Sequence, residues 1–560
     1  MKPFPSQFQG IERRITMFAK SLSRRSFIKI AAMTAAATAL DWNRISARAA
    51  KMGSPDKYPT AIIGAGLGGL VCGAYLARQG IPVTLAEQHR IPGGYATSFD
   101  RAAGRFTFEV SLHGTCIHNN GAAAILNDIG ILDRLKLVPL PEVYCLKTPR
   151  RVISVPQKDP EAYIELLSRH FPDEARGVRG FVEEMLAIAA EVNRFSRKRG
   201  KFIKLLFPIQ YSKMWHVRNL TLADLVKEHV ADPELQNILT ALWGYYGLPP
   251  SGLSGFYYAN ATGDYLKNGS YYIKERSQDL SNAIAGIIED NGGKILYDTS
   301  VRKILVKDGA VEGIELDGGE TLPARAVVSN ASAPVTFQEM LPANTVPPDY
   351  LRTLTGYKPS ISSFLVWLGL QGDVTTKIKA FSTFVSAGLN PEQEYALHLK
   401  GEVEKGSFGV AVYDNIYKGY SSPGTSTLQI IFLSGYEPWR RYEADYRNGR
   451  KEAYRREKER WADILIQRAE KELIPGLSSM IAVKEAATPL TNWRYTGNTE
   501  GAIYGFEQSM DNAYMNRLQN RTPVKGLYLA SAWGNPGGGY GGVFRGGQSA
   551  FQAMMEDWGA

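Results

Sequence analysis

Tyr58-Pro59-Thr60-Ala61-Ile62-Ile63-Gly64-Ala65-Gly66-Leu67-Gly68-Gly69 decides how this 560-residue chain is read. The first six residues read as a short buried strand. Three glycines then follow in the pattern G-x-G-x-x-G. An alanine- and leucine-rich helix is expected over 70–79, ending at Gly80, and a second strand over 81–86, closed by Glu87. Strand, glycines, helix, strand and acid together are the context a dinucleotide requires. Gly64 permits the tight turn, Gly66 lets backbone approach a pyrophosphate, and Gly69 lets the helix pack close to the strand. The helix N-terminus offers free N–H groups and the positive end of its dipole to phosphate. Glu87, 23 residues after Gly64, is placed to meet ribose hydroxyls. A glycine turn between packed elements leaves Glu87 without a purpose.

Outward from this unit, His89-Arg90-Ile91-Pro92-Gly93-Gly94 follows the acid. Arg90 and the pair Gly93 and Gly94 would bring a cation and more backbone to the pyrophosphate of an extended FAD. Residues 104–109 read as the next strand. Near the C-terminus, 525–530 is a strand pattern, and 531–542 carries seven glycines or prolines before a helix expected from about Phe544. Gly537-x-Gly539-x-x-Gly542 also fits the dinucleotide pattern. It reads as the far end of the first site, because no strand with a terminal acid follows. Residues 300–306 and 311–316 form a hairpin-like pair around Asp308-Gly309, and 326–331 is another strand.

These motifs resemble the flavin amine oxidase and phytoene desaturase superfamily. Weaker echoes at 221–224, 245–250, 269–272 and 487–489 resemble its retinol saturase, carotenoid isomerase and bacterial phytoene desaturase branch. The resemblance implies an α/β fold, a Rossmann-type FAD-binding domain with an inserted α+β substrate domain. It implies FAD as cofactor, with Val301 at the adenine and Trp533, Gly542 and Val543 along the isoalloxazine. The C-terminal helix dipole would stabilise charge on reduced flavin. The chain departs from relatives at Ser531-Ala532, where many carry an acid, and at Glu275-Arg276, where a glycine pair is frequent. The FAD-binding domain is expected from 50–135, 266–335 and 496–560, and the substrate domain from 136–265 and 336–495.

Composition narrows the partners. Residues 1–49 hold nine basic and two acidic side chains, whereas the remainder holds 56 and 53. A net charge of +10 over the whole chain therefore gives nucleic acid binding no support. Ser23-Arg24-Arg25-Ser26-Phe27-Ile28-Lys29, the apolar run 30–40 and Ala47-Arg48-Ala49 look like a twin-arginine export signal cleaved after Ala49. An amphipathic helix with a chance arginine pair, or an uncleaved anchor, are the other readings. Export places the protein in the periplasm or beyond, possible membrane association included, where no nicotinamide pool supplies hydride. Electrons would pass to or from quinone, oxygen or a redox protein. Cys72, Cys116 and Cys145 are too few for a disulfide framework, and no metal site is visible.

Residues 194–218 contain eight basic and no acidic side chains, interleaved with aromatic and aliphatic residues. This suits peripheral contact with an anionic bilayer, or equally a core helix with snorkelling basic stems. For chemistry, Glu109 and His113 resemble a Glu…His pair near the flavin of the saturase and isomerase branch. If the strand continued past Glu109, then Glu109, Ser111 and His113 would share a face, with His113 as acid or base and Glu109 orienting it. A packed histidine is the alternative. Tyr504 is a further catalytic candidate beside the cavity.

The expectation is an exported FAD-dependent oxidoreductase acting on C=C or CH–CH bonds of a hydrophobic isoprenoid or polyene. Its reaction would be saturation, desaturation or isomerisation through hydride transfer at flavin N5. A flavin amine oxidase and a redox-inert lipid carrier on the same fold are the rivals.

Overall fold

The computed structural model describes residues 58–196, 206–388, 390–417, 419–513 and 516–559. The export-signal segment and the most basic part of 194–218, residues 197–205, lie outside them.

The opening strand forms at Thr60–Ile63, all four residues buried. It sits third in a parallel sheet whose order is Leu527–Leu529, Ala326–Ser329, Thr60–Ile63, Val83–Ala86 and Lys294–Leu296. Parallel strands need helices on both faces, so near-continuous apolar runs are the signature of this sheet. The helix after the glycines spans Leu67–Arg78, three residues earlier than expected. Leu70 N–H already donates to Gly66 O at 3.0 Å. Gly68 and Gly69 enter the helix because its first turn is pressed against backbone. A Cβ on Gly68 would stand 1.7 Å from Ala530 O, and one on Gly69 2.4 Å from Gly64 O. The C-terminal helix likewise starts early, at Tyr540, and runs to Asp557. It crosses the first helix so closely that a Cβ on Gly547 would meet Gly68 O at 2.4 Å. The hairpin around Asp308-Gly309 forms as Val301–Lys307 and Ala310–Leu316.

A second sheet has seven strands, in the order Ile481–Ala487, Ser362–Gln371, Thr425–Ser434, Phe408–Ala411, Ser382–Val385, Tyr144–Lys147 and Val152–Val155. All neighbours are antiparallel except Ser382–Val385 with Tyr144–Lys147. Alternation along its central strands separates two faces. Phe364, Val366, Leu368, Leu428, Ile430 and Phe432 form one face and pack with Trp461, Leu465 and Ile466 of the helix Glu452–Glu472. That helix carries the mixed charges on its opposite side, and each large buried apolar side chain contributes roughly 1.5–3 kcal/mol. The other face, with Leu365, Gln429, Ile431 and Leu433, turns toward a cavity.

The described part of 194–218 corrects the membrane-surface reading for its aromatic residues. Phe195, Phe207, Tyr211, Met214 and Trp215 are buried in a helical core. Phe195 and Tyr211 meet edge to face with ring centroids 5.2 Å apart. Ile209, 58% exposed, is the outward apolar residue of this stretch among those described. The reason is geometric: the short helices Phe207–Gln210 and Ser212–Val217 fold back against Ala175–Ser196, so their apolar side chains close a core instead of a surface.

Candidate active site

One cavity of about 1300 Å³ runs between the two sheets. Its first part is a trough edged by backbone. Gly64, at φ +90°, ends the opening strand, and Ala65 N–H donates to Glu87 Oε2 at 2.6 Å. His89 N–H donates to Glu87 Oε1 at 2.8 Å. Burial raises the Glu87 carboxyl above its ordinary value, and these two backbone donors oppose that rise. Gly93 N–H donates to Ala65 O at 2.7 Å, and a parallel bridge joins Gly66 to Gly93. The two loops are thus one rigid lip. Gly64, Gly66, Glu87, Gly93 and Gly94 line the trough, while Gly69 packs beneath it. Arg90 corrects its expectation: it is exposed and does not line the cavity, because the chain turns at Gly93 and Gly94 with Arg90 on the outer side.

Val301 lines one end of the trough, next to Thr299 and Ser300. At the other end stand Trp533, Gly542 and Val543, with the C-terminal helix opening into the cavity. Trp533 is 1% exposed, and its indole N–H donates to Asn498 Oδ1 at 3.0 Å. Gln508 also lines this wall, and both its side-chain amide atoms are buried without a protein partner. Buried amides in that state belong beside a polar ligand. Helix N-terminus, glycine lip, buried acid and orphaned amide together fit an extended dinucleotide. The cavity exceeds the roughly 300–1,000 Å³ of ordinary ligand sites.

The excess volume is an aromatic chamber walled by Trp243, Tyr245, Tyr246, Phe256, Phe384 and Tyr504. His113 stands in this wall, 7% exposed. Its Nδ1 lies 3.2 Å from Tyr245 Oη and its Nε2 3.0 Å from Gln429 Oε1. Gln429 Nε2 donates to Val110 O at 3.2 Å, which fixes Oε1 as the atom facing the ring. His113 therefore carries its proton on Nε2 and accepts from Tyr245 through Nδ1. Burial lowers its pKa to about 4, so the ring is neutral near pH 7.

Glu109 does not orient His113. The strand Phe106–Glu109 ends there, which breaks the shared face expected for 109, 111 and 113. Glu109 turns away from the cavity. It accepts from Tyr272 Oη at 2.6 Å, from Ser277 N–H at 3.1 Å and from the Ser277 hydroxyl. Ser111 donates to Tyr95 O at 2.8 Å. Tyr504 lines the chamber, but its hydroxyl faces Gly244 O at 3.5 Å, and its ring packs where Gly247 leaves room. It forms wall. Tyr245 and Gln429, the partners of His113, were missed by sequence reasoning as site residues. They lie 132 and 316 residues from it, and no local spacing links them. Outside the cavity, Glu184, Glu228 and His229 converge, but Lys213 and His216 already pair the two carboxylates.

A family model described as "Flavin containing amine oxidoreductase" matches residues 67–555. Among curated proteins, prolycopene isomerase 2, chloroplastic, of an Oncidium hybrid cultivar is 26% identical over 504 residues, covering 88% of this chain and 82% of its own length. All-trans-retinol 13,14-reductase of Rattus norvegicus is 24% identical over 504 residues, covering 85% and 82%. Among solved structures, an oxidoreductase from Methanosarcina mazei superposes with a TM-score of 0.56 at 17% identity, covering 89% of this chain and 100% of that one. Cyclohexylamine oxidase from Brevibacterium oxydans does so with 0.57 at 16%, covering 89% and 99%. These two show the fold. Among the described residues, no helix is long and apolar enough to cross a membrane.

Proposed function

The chain belongs to the flavin containing amine oxidoreductase family and is an FAD-dependent enzyme, and on that footing we propose that it acts on carbon–carbon double bonds of a long apolar isoprenoid or polyene. The observation that carries this reading is the continuity of the dinucleotide trough with the aromatic chamber in one cavity. A dinucleotide fills the trough, and an elongated apolar molecule fills the chamber beside it. The likeness to a prolycopene isomerase and a retinol 13,14-reductase supports a polyene in that place. No lysine lines the cavity among the described residues, which disfavours an amine oxidase of the same fold.

Bound FAD supplies hydride transfer at N5. The residues around it bind, orient and handle the proton. The aromatic walls desolvate the substrate, and the Trp533 ring is held by Asn498. Neutral His113, its Nδ1 facing the Tyr245 hydroxyl, serves as the base that takes up, through Tyr245, the proton that desaturation removes from the carbon next to the hydride site. Gln429 fixes the tautomer that makes Nδ1 the accepting nitrogen. An isomerase needs the same walls and no stoichiometric donor.

The twin-arginine pattern at 23–29 supports export of the loaded enzyme, with quinone, oxygen or a redox protein as electron partner. The deciding experiment is anaerobic incubation of yellow holoenzyme with a membrane lipid extract, followed by mass analysis. A two-hydrogen change identifies saturation or desaturation. Unchanged mass with altered retention identifies isomerisation. Bleaching by amines, or a colourless protein that FAD cannot reconstitute, overturns the reading in favour of an oxidase or a carrier.

A further inference from the structure

A dinucleotide lies across the carboxyl ends of parallel strands, so the strand order dictates which residues it passes. Glu87 follows Val83–Ala86, on one flank of the opening strand Thr60–Ile63. Ala326–Ser329 lies on the other flank, and Leu527–Leu529 beyond it. With the adenosine half at Glu87 and the isoalloxazine at Trp533, the middle of FAD has to pass the end of Ala326–Ser329. The residue at that end is Asn330.

The backbone of Asn330 is fixed. Its N–H donates to Ile63 O at 2.9 Å, which carries the pairing of Ile63 with Ser329 one residue further. The side chain then fills the crook of the glycine turn. A Cβ on Gly66 would stand 2.4 Å from Asn330 Nδ2, and one on Gly64 3.5 Å from the same atom. A Cβ on Gly68 would stand 3.0 Å from Oδ1, and one on Gly69 3.1 Å from Asn330 Cβ. The turn is thus moulded around one amide. That amide nevertheless makes no side-chain hydrogen bond among the described residues, and it lines the cavity. An amide pinned by packing, with its donors and its acceptor unused, is preorganised for a ligand. Its Nδ2 end adjoins Gly66, where the turn lets backbone approach the pyrophosphate, and its Oδ1 end turns back toward Gly68. An anion at Gly66 selects this orientation, because only the NH2 end can donate.

We propose that Asn330 donates through Nδ2 to the FAD pyrophosphate, as the side-chain half of an anion site whose backbone half is the N-terminus of the helix Leu67–Arg78. This rests on the trough being the FAD site. Arg90, the cation expected for the pyrophosphate, stands outside the cavity, and a neutral donor on the neighbouring strand takes its place. A carboxylate of the same shape would turn the contact into repulsion.

FAD release from holoenzyme, followed by the rise in flavin fluorescence, tests this in wild type, N330A and N330D. N330A is expected to weaken FAD binding about ten-fold or more, the size of a hydrogen bond to a charged group. N330D keeps the shape and packing of the side chain, yet is expected to lose more than N330A at pH 8, because like charge replaces the donor. Displacement of FAD by ADP, which carries the pyrophosphate without ribityl chain or ring, locates the contact. ADP affinity is expected to fall in N330A by the same factor as FAD affinity. Unchanged ADP affinity in N330A puts the amide on another part of the cofactor and overturns the proposal. So does N330D holding FAD as tightly as wild type, the result for packing or for a contact to a hydroxyl. Loss of the wild-type circular dichroism in both variants would assign the residue to folding and overturn it too. A wild-type protein that binds no FAD would instead bring down the reading of the trough itself, which separates the two failures.

Discussion

His113 Nε2 lies 3.0 Å from Gln429 Oε1 across 316 residues of sequence, and this bond joins the loop after the strand Phe106–Glu109 to the floor of the aromatic chamber. It sets the tautomer of a buried histidine that lines the cavity.

Replacing His113 by Ala is therefore expected to leave FAD bound and to lower kcat by about 10²–10⁴, the usual worth of a positioned proton-transfer group. Gln429→Leu should give a smaller loss, since Tyr245 still holds Nδ1. Turnover per bound flavin measures both. Full turnover in H113A would assign the ring to packing alone.

Acid should destabilise the protein earlier than its carboxylates require. His113 and His398 each sit at about 4, against an ordinary value of 6.5, because burial disfavours the imidazolium. Between those values the unfolded chain binds more protons than the folded one. Stability is complete above about pH 6.5 and falls as pH drops toward 4, by about 1.4 kcal/mol per pH unit for each histidine. Glu109 and Glu394, raised by burial, have the opposite sign: their contribution is full at low pH and declines as pH rises through their raised values. Thermal midpoints against pH for wild type, H113Q and H398Q should show a flatter acid limb in each variant.

Glu109 should behave as a structural acid. Removing it strands Tyr272 Oη, Ser277 N–H and the Ser277 hydroxyl in a fully buried place. Glu109→Ala is expected to cost about 3 kcal/mol in denaturant titration, and Glu109→Gln about half as much. Turnover per folded holoenzyme should be retained. A loss of turnover without a loss of stability would return Glu109 to the chemistry.

The glycines should sort by what a methyl group meets. Gly68→Ala would drive a Cβ against the Ala530 carbonyl, and Gly93→Ala, at φ +125°, against Ala96 O at 2.3 Å. Both should yield protein with little or no bound FAD, read as the ratio of visible to ultraviolet absorbance. Gly318→Ala, where a Cβ meets nothing within 4 Å, should keep the wild-type ratio.

Some of the site was legible because it is local. Residues 58–87 state a strand, a turn, a helix and a terminal acid within one short stretch, and the structure places Gly64, Gly66, Glu87, Gly93 and Gly94 on one trough. The helix starts were misplaced by three or four residues for a physical reason. Glycine disfavours helices in isolation, yet Gly68 and Gly69 are helical because only they admit the approach of Ala530 and Gly64. The face proposed for 109, 111 and 113 failed because the strand ends at Glu109, and no periodicity over five residues reveals that end.

By itself the sequence determined the cofactor fold and the class of cofactor, because glycine geometry and helix dipoles act over a few adjacent residues. The tertiary structure alone decided that His113 is held by Tyr245 and Gln429, that Glu109 supports Tyr272 and Ser277 instead of His113, and that the aromatic residues around Phe207 close a core. Those outcomes depend on hydrogen bonds and packing between segments hundreds of residues apart, whose pairing is set by sheet register and not by spacing along the chain.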